Sequence, residues 1–358
     1  MLDATAPETS RTDAAVQTGR RSSSRLLQAS AAAVVSVIVL GLVSPSYSLA
    51  STILIYAVAV LGCNLLLGYT GLLSFGQGIF FGVGAYAAGL AYIHLDVQVP
   101  AGLLVAMVVG LVTATVVGAL CIMRRGVYFV MLTFAFAALF GYLVYLFSDI
   151  TGGENGLRGF PAMTLGVFGV GTPLNTSLEM FLLIAISFVA AYLFLTKVIG
   201  SRFGATLMAI RENEDRAAAI GYNTTRFKLL AFSLSGVVTG LAGGLYATYL
   251  GAVPDTALQI QISTTILVMT ILGGTGSLYG SFLGATIYLL LADYLSQVWD
   301  RWQILLAAAL VAIVLYLRGG VWGALELIGR EVRDRTQHRR RAKPGASRPG
   351  RADEEGSQ

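Results

Sequence analysis

Charge is scarce in this chain: 12% of its 358 residues are Asp, Glu, Lys or Arg, about half the roughly 25% of an ordinary soluble domain. There are two cysteines, Cys63 and Cys121, and two histidines, His94 and His338. The cysteines lie in or beside apolar runs and read as small buried hydrophobes. The histidines stand on unrelated segments, so no metal site can be assembled from this inventory. Lysine occurs only at Lys197, Lys228 and Lys343, preceded by Thr196, Phe227 and Ala342. No Gly-Lys pair exists, and a phosphate-binding loop needs one because its lysine must reach the terminal phosphates. The sequence therefore offers no ATPase site of its own. No soluble domain and no catalytic cluster can be seen, which argues against an enzyme. Ionisable residues deep in apolar runs are almost missing, Asp293 being the main exception. An ion-coupled carrier usually keeps intramembrane carboxylates, so this scarcity counts against one, although unwound backbone carbonyls can also hold sodium.

What is present is hydrophobic: 56% of residues, with a mean hydropathy of +0.73. Ten apolar segments recur, near 26–43, 49–67, 73–93, 101–122, 127–147, 178–196, 229–250, 258–272, 279–296 and 302–317. A bilayer crossing takes about 20 such residues. The expectation is an all-α polytopic membrane protein of about ten transmembrane helices, some broken or re-entrant. The eighth segment, at 258–272, is the shortest internal one. Residues 1–25 and 326–358 are polar tails expected to be disordered, flanking a membrane domain at 26–325. The alternative for the first segment, a cleaved leader, is disfavoured by its long polar lead and by "SYSLAS", a poor cleavage site.

The net charge of +5 does not point to nucleic acid, because the basic residues follow the membrane. With ten crossings, all 24 Lys and Arg except Arg158 and Arg301 fall on one side. By the positive-inside rule that side, with both termini, is cytoplasmic.

Glycine is abundant, at 42 residues. Gly236, Gly240 and Gly244, and again Gly276, Gly280 and Gly284, repeat at four-residue spacing, the pattern that lets helix backbones approach closely in lipid. Two glycine-rich breaks differ from these ridges: "GYTGLLSFGQG" (Gly68 to Gly78) and "GGTGSLYGSFLG" (Gly273 to Gly284). They share a G-x-T-G core and interrupt apolar segments. Such interruptions free backbone groups to line a cavity.

One stretch runs against the composition. Within "SRFGATLMAIRENEDRAAAIGYNTTRFK", Arg211 to Arg216 place five charges in six residues. The stretch reads as a short helix. Arg211 with Asp215, and Glu212 with Arg216, lie four apart and can pair on one face, at about 0.2–0.5 kcal/mol each. Leu207, Ile210, Ala217 and Ile220 give an apolar stripe, and Gly221 is a C-terminal stop. Two readings remain open on the residues alone: a solvated helix at the headgroups, or a docking helix for a cytoplasmic partner. The mixed signs favour a protein over anionic lipid, which selects basic residues only.

Taken in order, "GYTGLLSFGQGIFFGVGAYAAG", "GGENGLRGFP", the stretch above continued to "LLAFSLSGVVTGLAGGLYATYLGAV", and "ILGGTGSLYGSFLGA" resemble the permease subunits of branched-chain amino acid ABC importers, the larger-loop member of the usual pair. The resemblance runs over roughly residues 30–325. It implies ABC-importer permease architecture in a bacterial cytoplasmic (inner) membrane. It implies two cytoplasmic ABC ATPase subunits that carry ATP and Mg, so that this chain binds no cofactor. It further implies a second homologous permease and a periplasmic or lipid-anchored binding protein. The charged stretch then corresponds to the coupling loop, carried by Arg211, Glu212, Asn213, Glu214, Asp215, Arg216, Ala217, Ala218 and Gly221. In many such permeases the loop shows Glu-Ala-Ala followed by Gly. Here the run is "EDRAAAIG", with a degenerate register. Asn64, Tyr69, Ser74, Gln77 and Thr275, at or near the breaks, are candidates for the substrate pathway, with interhelical bonding as their plainer role. In the longest outer loop, Asp149, Glu154 and Arg158 are candidates for binding-protein contact, with an ordinary surface loop as the alternative. The substrate expected is a branched-chain or other hydrophobic amino acid. Urea, short amides and aromatic acids are the alternatives within the family type, and an ATP-independent carrier or channel is the alternative outside it.

Overall fold

A computed structural model describes residues 34–41, 46–161, 163–167, 170–173, 176–298, 301–316 and 320–323. The two polar tails and much of the first apolar segment lie outside the described residues. Helix α1 is seen over 34–41. It is followed by α2 (Tyr47–Asn64), α3 (Gln77–Leu95), α4 (Val99–Cys121), α5 (Val127–Leu146) and a short α6 (Ser148–Thr151). Then come α7 (Ser177–Ile199), α8 (Arg202–Glu212), α9 (Glu214–Ala219), α10 (Thr224–Leu250), α11 (Ile260–Gly273), α12 (Leu278–Val298) and α13 (Trp302–Tyr316).

Each of the ten apolar segments contains one helix. Among the described residues, seven helices are long and apolar enough to cross a membrane: α2 with its continuation to Thr70, α3, α4, α5, α7, α10 and α12. These helices are apolar all round rather than on one stripe, as buried or lipid-facing helices are. Helix α11 has 14 residues, about 21 Å at 1.5 Å per residue, short of the ~30 Å hydrocarbon core. That agrees with the reading of the eighth segment as incomplete. An antiparallel hairpin departs from the all-helical pattern: β1 (Thr164–Val167) pairs with β2 (Val170–Pro173), Thr164 lying opposite Pro173.

The helix ends follow local chemistry. Ser46 caps α2 by accepting from the Leu49 N–H at 3.2 Å. Thr176 and Glu179 form a reciprocal capping box at the start of α7. Asn223 caps α10 through the Arg226 N–H at 3.2 Å. Helix α10 is the axis of the bundle and packs against α4, α3 and α2. Its glycine ridge makes that approach possible: a methyl group on Gly240 would lie 2.8 Å from the Ala106 carbonyl oxygen and 3.2 Å from Gly110 Cα, both on α4. The second ridge works likewise inside the α11–α12 pair, where Gly280 faces the Gly273 carbonyl and Gly284 faces that of Met269. Both ridges therefore serve tight packing, which in lipid must come from contact and hydrogen bonding because apolar burial no longer drives association. Cys63 and Cys121 are free and buried.

Enclosure is uneven. In α2, 83% of the most apolar window is buried, against 22% in α5. Helix α2 is thus a core helix, and α5 turns most of its surface outward.

The alternating run of helices sorts the chain into two ends. One end holds the break after α2, the α4–α5 turn, α8, α9, the start of α10 and the α11–α12 turn. Near it, Ser36 donates to the Tyr279 hydroxyl at 2.8 Å, and Trp322 packs at a tilt against the same Tyr279 ring, with centroids 5.0 Å apart. The first and last described parts of the chain therefore meet at this charged end. The opposite end holds α6, the hairpin and the α10–α11 connection.

Candidate functional site

The two glycine-rich breaks, about two hundred residues apart in sequence, touch. After Asn64 the α2 backbone widens into a π turn, Leu65–Thr70, and ends at Gly71, whose φ of 75° suits glycine. The second break turns at Gly274 (φ 110°) and Gly276 (φ 92°). Asn64 ties them together. Its amide donates to the Ser277 carbonyl at 2.7 Å and to the Ser281 hydroxyl at 2.8 Å, and its Oδ1 accepts from the Gly276 N–H at 2.9 Å. A Cβ on Gly68 would come within 2.9 Å of Gly276 Cα. The shared G-x-T-G core thus marks two surfaces cut to fit each other.

Gln77 does similar work between α2, α3 and α10. Its amide donates to Ser235 Oγ at 3.0 Å, and its Oε1 accepts from Thr239 at 2.8 Å. Ser235 in turn donates to the Gly62 carbonyl at 2.8 Å. Interhelical hydrogen bonds of this kind are worth about 0.6 kcal/mol each, up to about 1.7. Ser74 is buried and accepts from the Gly76 N–H at 3.0 Å. Tyr69 is buried, and Thr275 is exposed. Of the five polar residues singled out in the sequence, the structure brings Asn64, Tyr69 and Thr275 to the junction of the breaks. It places Gln77 in the core behind them.

The charged stretch is not the single helix expected. It breaks at Asn213, which is extended (φ −160°, ψ 105°) and caps α9 by accepting from the Arg216 N–H at 2.9 Å. An N-cap inside the stretch competes with helix continuation, so the two i,i+4 pairs do not form. Arg211 donates instead to the Gly68 carbonyl of the first break. Asp215 pairs with Arg125, from the α4–α5 turn, at 3.1 Å. Glu214 is the hub. It meets Lys228 of α10 at 2.5 Å and Arg125 at 3.5 Å, and accepts from the Thr224 hydroxyl at 3.2 Å. The Lys228 side chain is only 8% exposed, so its pairing with Glu214 is what makes its burial tolerable.

The expected apolar stripe holds for Leu207, Ile210 and Ala217, which are buried, and fails for Ile220, which is 72% exposed. Helix α9 ends as expected at Gly221 (φ 100°). The Gly221 N–H bonds the Ala218 carbonyl at 2.9 Å and the Tyr222 N–H bonds that of Ala217 at 3.2 Å, the paired bonds of a Schellman cap. This turn lifts Ala218, Ala219, Ile220 and Tyr222 into solvent. Behind it, a cleft of about 260 Å³ lies between Gly71, Arg124, Arg211 and Glu214. Reading the sequence alone missed Arg125 and Lys228 as partners of this stretch. The signal for Lys228 was its rarity, a lysine at the head of an apolar helix.

At the opposite end Asp149, Glu154 and Arg158 are all exposed. Their loop is held by backbone: Leu157 and Val253 exchange N–H···O bonds of 2.9 Å in both directions. Nearby, Asp255 accepts from the Tyr145 hydroxyl at 3.0 Å and from the Gln259 amide at 3.1 Å.

Comparison with known proteins places this architecture. The family described as "Branched-chain amino acid transport system / permease component" matches residues 46–317. The high-affinity branched-chain amino acid transport system permease protein LivM of Salmonella typhimurium is 27% identical over 292 residues, 76% of this chain and 68% of that protein. Its counterpart in Escherichia coli K12 is 26% identical, covering 75% of this chain and 68% of that protein. The autoinducer 2 import system permease protein LsrC of Yersinia enterocolitica is 31% identical over 142 residues, 38% of each chain. No solved structure matches. The family match spans every long apolar helix, both glycine breaks and the charged stretch, and the chain belongs to the branched-chain amino acid transport system permease family.

Proposed function

We propose that this chain is the transmembrane permease subunit of an ATP-driven importer that moves a branched-chain or other hydrophobic amino acid across the bacterial cytoplasmic membrane. Both termini lie in the cytoplasm. The observation that carries this reading is the geometry of the charged stretch. Glu214, Asp215 and Arg211 pin two short helices to the bundle through partners on other elements, while a tip that includes Ile220, Ala218 to Tyr222, is presented to solvent beside the exposed Glu212, Asp215 and Arg216. A solvated loop helix has no reason to be tethered to three other parts of the bundle and to expose Ile220.

The tip docks in a cleft of the ATPase, with Glu212, Asp215 and Arg216 as its rim. An interface of this kind has an apolar centre and a polar border. Two ATPase subunits bind ATP and Mg, and close on binding it. Their closure moves α8 and α9, switching the pathway between two states. A second homologous permease completes the pathway. A periplasmic or lipid-anchored binding protein lands on the opposite end, over Asp149, Glu154 and Arg158.

The pathway runs beside the junction of the breaks. Tyr69 and Thr275 lie nearest its opening there, and Asn64, Ser74 and Gln77 shape its wall. The near absence of charge inside the spans suits a solute without net charge. Orientation is supported by the crowding of basic residues at the end where Ser36 and Trp322 both reach Tyr279.

The test is Ile220→Asp in the full importer. Loss of the ATPase from the solubilised complex, with the permease still inserted, is expected, by about tenfold or more in affinity for a central apolar contact. Undiminished ATPase binding contradicts the docking role.

A further inference from the structure

One side chain joins the charged stretch to both breaks at once. Arg211 lies in the last turn of α8, two residues before the extended Asn213. Its guanidinium donates to the Gly68 carbonyl, in the π turn where the helix ladder is shifted by one residue. The same group lies against the second break: a Cβ on Gly276 would be 3.3 Å from Arg211 Nη1 and 3.4 Å from the Gly68 oxygen. Its stem covers the end of the first break, since a Cβ on Gly71 would be 3.2 Å from Arg211 Cγ. Helix α9 is tethered elsewhere, through Glu214 to Lys228 of α10 and to Arg125 of the α4–α5 turn. The two halves of the stretch are thus fastened to two different parts of the bundle, and the hinge between them is Asn213.

We propose that Arg211 is the positioning residue of coupling, a latch that holds the interlocked breaks at Gly68 and Gly276 closed until the stretch is displaced. This rests on the docking role proposed for the stretch. When the ATPase pulls on α9, α8 follows across the Asn213 junction, and the Arg211 guanidinium leaves the Gly68 carbonyl. Among the described side chains, Asn64 is then left to bond one break to the other, and they part. A planar guanidinium with donors on several nitrogens can satisfy a carbonyl freed by a helix defect while lying flat against a glycine backbone. An ammonium cannot do both.

The experiment compares Arg211→Ala, Arg211→Lys and Ile220→Asp in the complete importer, reconstituted in lipid. In Arg211→Ala the ATPase subunits are expected to remain bound. Amide exchange at residues 65–72 and 274–280 should rise by about tenfold or more, the order expected when a charge-assisted hydrogen bond is lost. Solute moved per ATP hydrolysed should fall. Arg211→Lys should recover ATPase stimulation in part but not the exchange protection. Ile220→Asp should shed the ATPase and leave exchange at the breaks unchanged.

Unchanged exchange in both Arg211 variants overturns the latch, as does loss of the ATPase in Arg211→Ala, which would make Arg211 a docking contact. If Arg211→Ala fails to insert, the exchange in Arg211→Lys alone decides. If Ile220→Asp keeps its ATPase while Arg211→Ala loosens the breaks, the docking role fails and the latch stands as a structural lock.

Discussion

The two ends of the bundle use charge in opposite ways. At the charged end, the ion pairs between described residues, Arg125 with Glu214 and Asp215 and Lys228 with Glu214, tie one element to another. At the opposite end Asp149, Glu154 and Arg158 stand in solvent, and the loop that bears them is held by backbone bonds between Leu157 and Val253. The lesson is that a dense cluster of charge in an apolar chain is not automatically a contact surface. Where charges find partners across elements they act as tethers, and an apolar tip can stand exposed beside them. Where backbone does the tethering, the charges stay available.

That contrast can be broken at several points, with effects of decreasing size. Gly68→Leu should do most damage, because the backbone of Gly276 lies where its side chain must go and cannot yield as a side chain would. A loss of about 3 kcal/mol or more is expected, seen as a collapse of the thermal midpoint in detergent and loss of uptake. Glu214→Gln comes next. It strands Lys228, which is nearly buried, and should cost about 3 kcal/mol; adding Lys228→Met should restore much of it, the signature of a coupled pair in a double-mutant cycle.

Arg125→Ala should cost under ~1 kcal/mol, since its side chain is 64% exposed and solvent screens such pairs. The thermal midpoint of this variant should be nearly that of the parent. Smallest in stability is Glu154→Lys with Arg158→Glu, expected within about 0.5 kcal/mol of the parent. If that end receives a binding protein, this swap should still slow its association at low salt, as changes to rim charges do. Equal association rates across salt concentrations would remove these two residues from the landing surface.

Much of the fold could be read from the sequence because membrane spans are written in composition. The ten apolar segments located ten helices, the short eighth segment became the 14-residue α11, and the two glycine ridges packed as their spacing implies. The glycine breaks were visible as interruptions. Their contact was not, since a bond between Asn64 and Ser281 spans 217 residues and leaves no local signal. The charged stretch departs from its local pattern for a related reason. Spacing within a helix suggested pairs between Arg211 and Asp215 and between Glu212 and Arg216. The stronger partners came from elsewhere in the chain: Arg125, Lys228 and the Gly68 carbonyl. Asn213 carried the missing clue, as a good N-cap set within an otherwise helical run. The exposure of Ile220 follows from the same break, which turns α9 away from the line of α8.

The most direct test of the account is to extract the chain gently from its native membrane and identify what accompanies it. The account predicts a P-loop ATPase and a second glycine-rich permease in the same complex, with uptake in reconstituted vesicles that requires ATP. If the chain emerges alone and moves solute across liposomes without ATP, the account is contradicted. The charged stretch is then a lock on the breaks with no partner to open it.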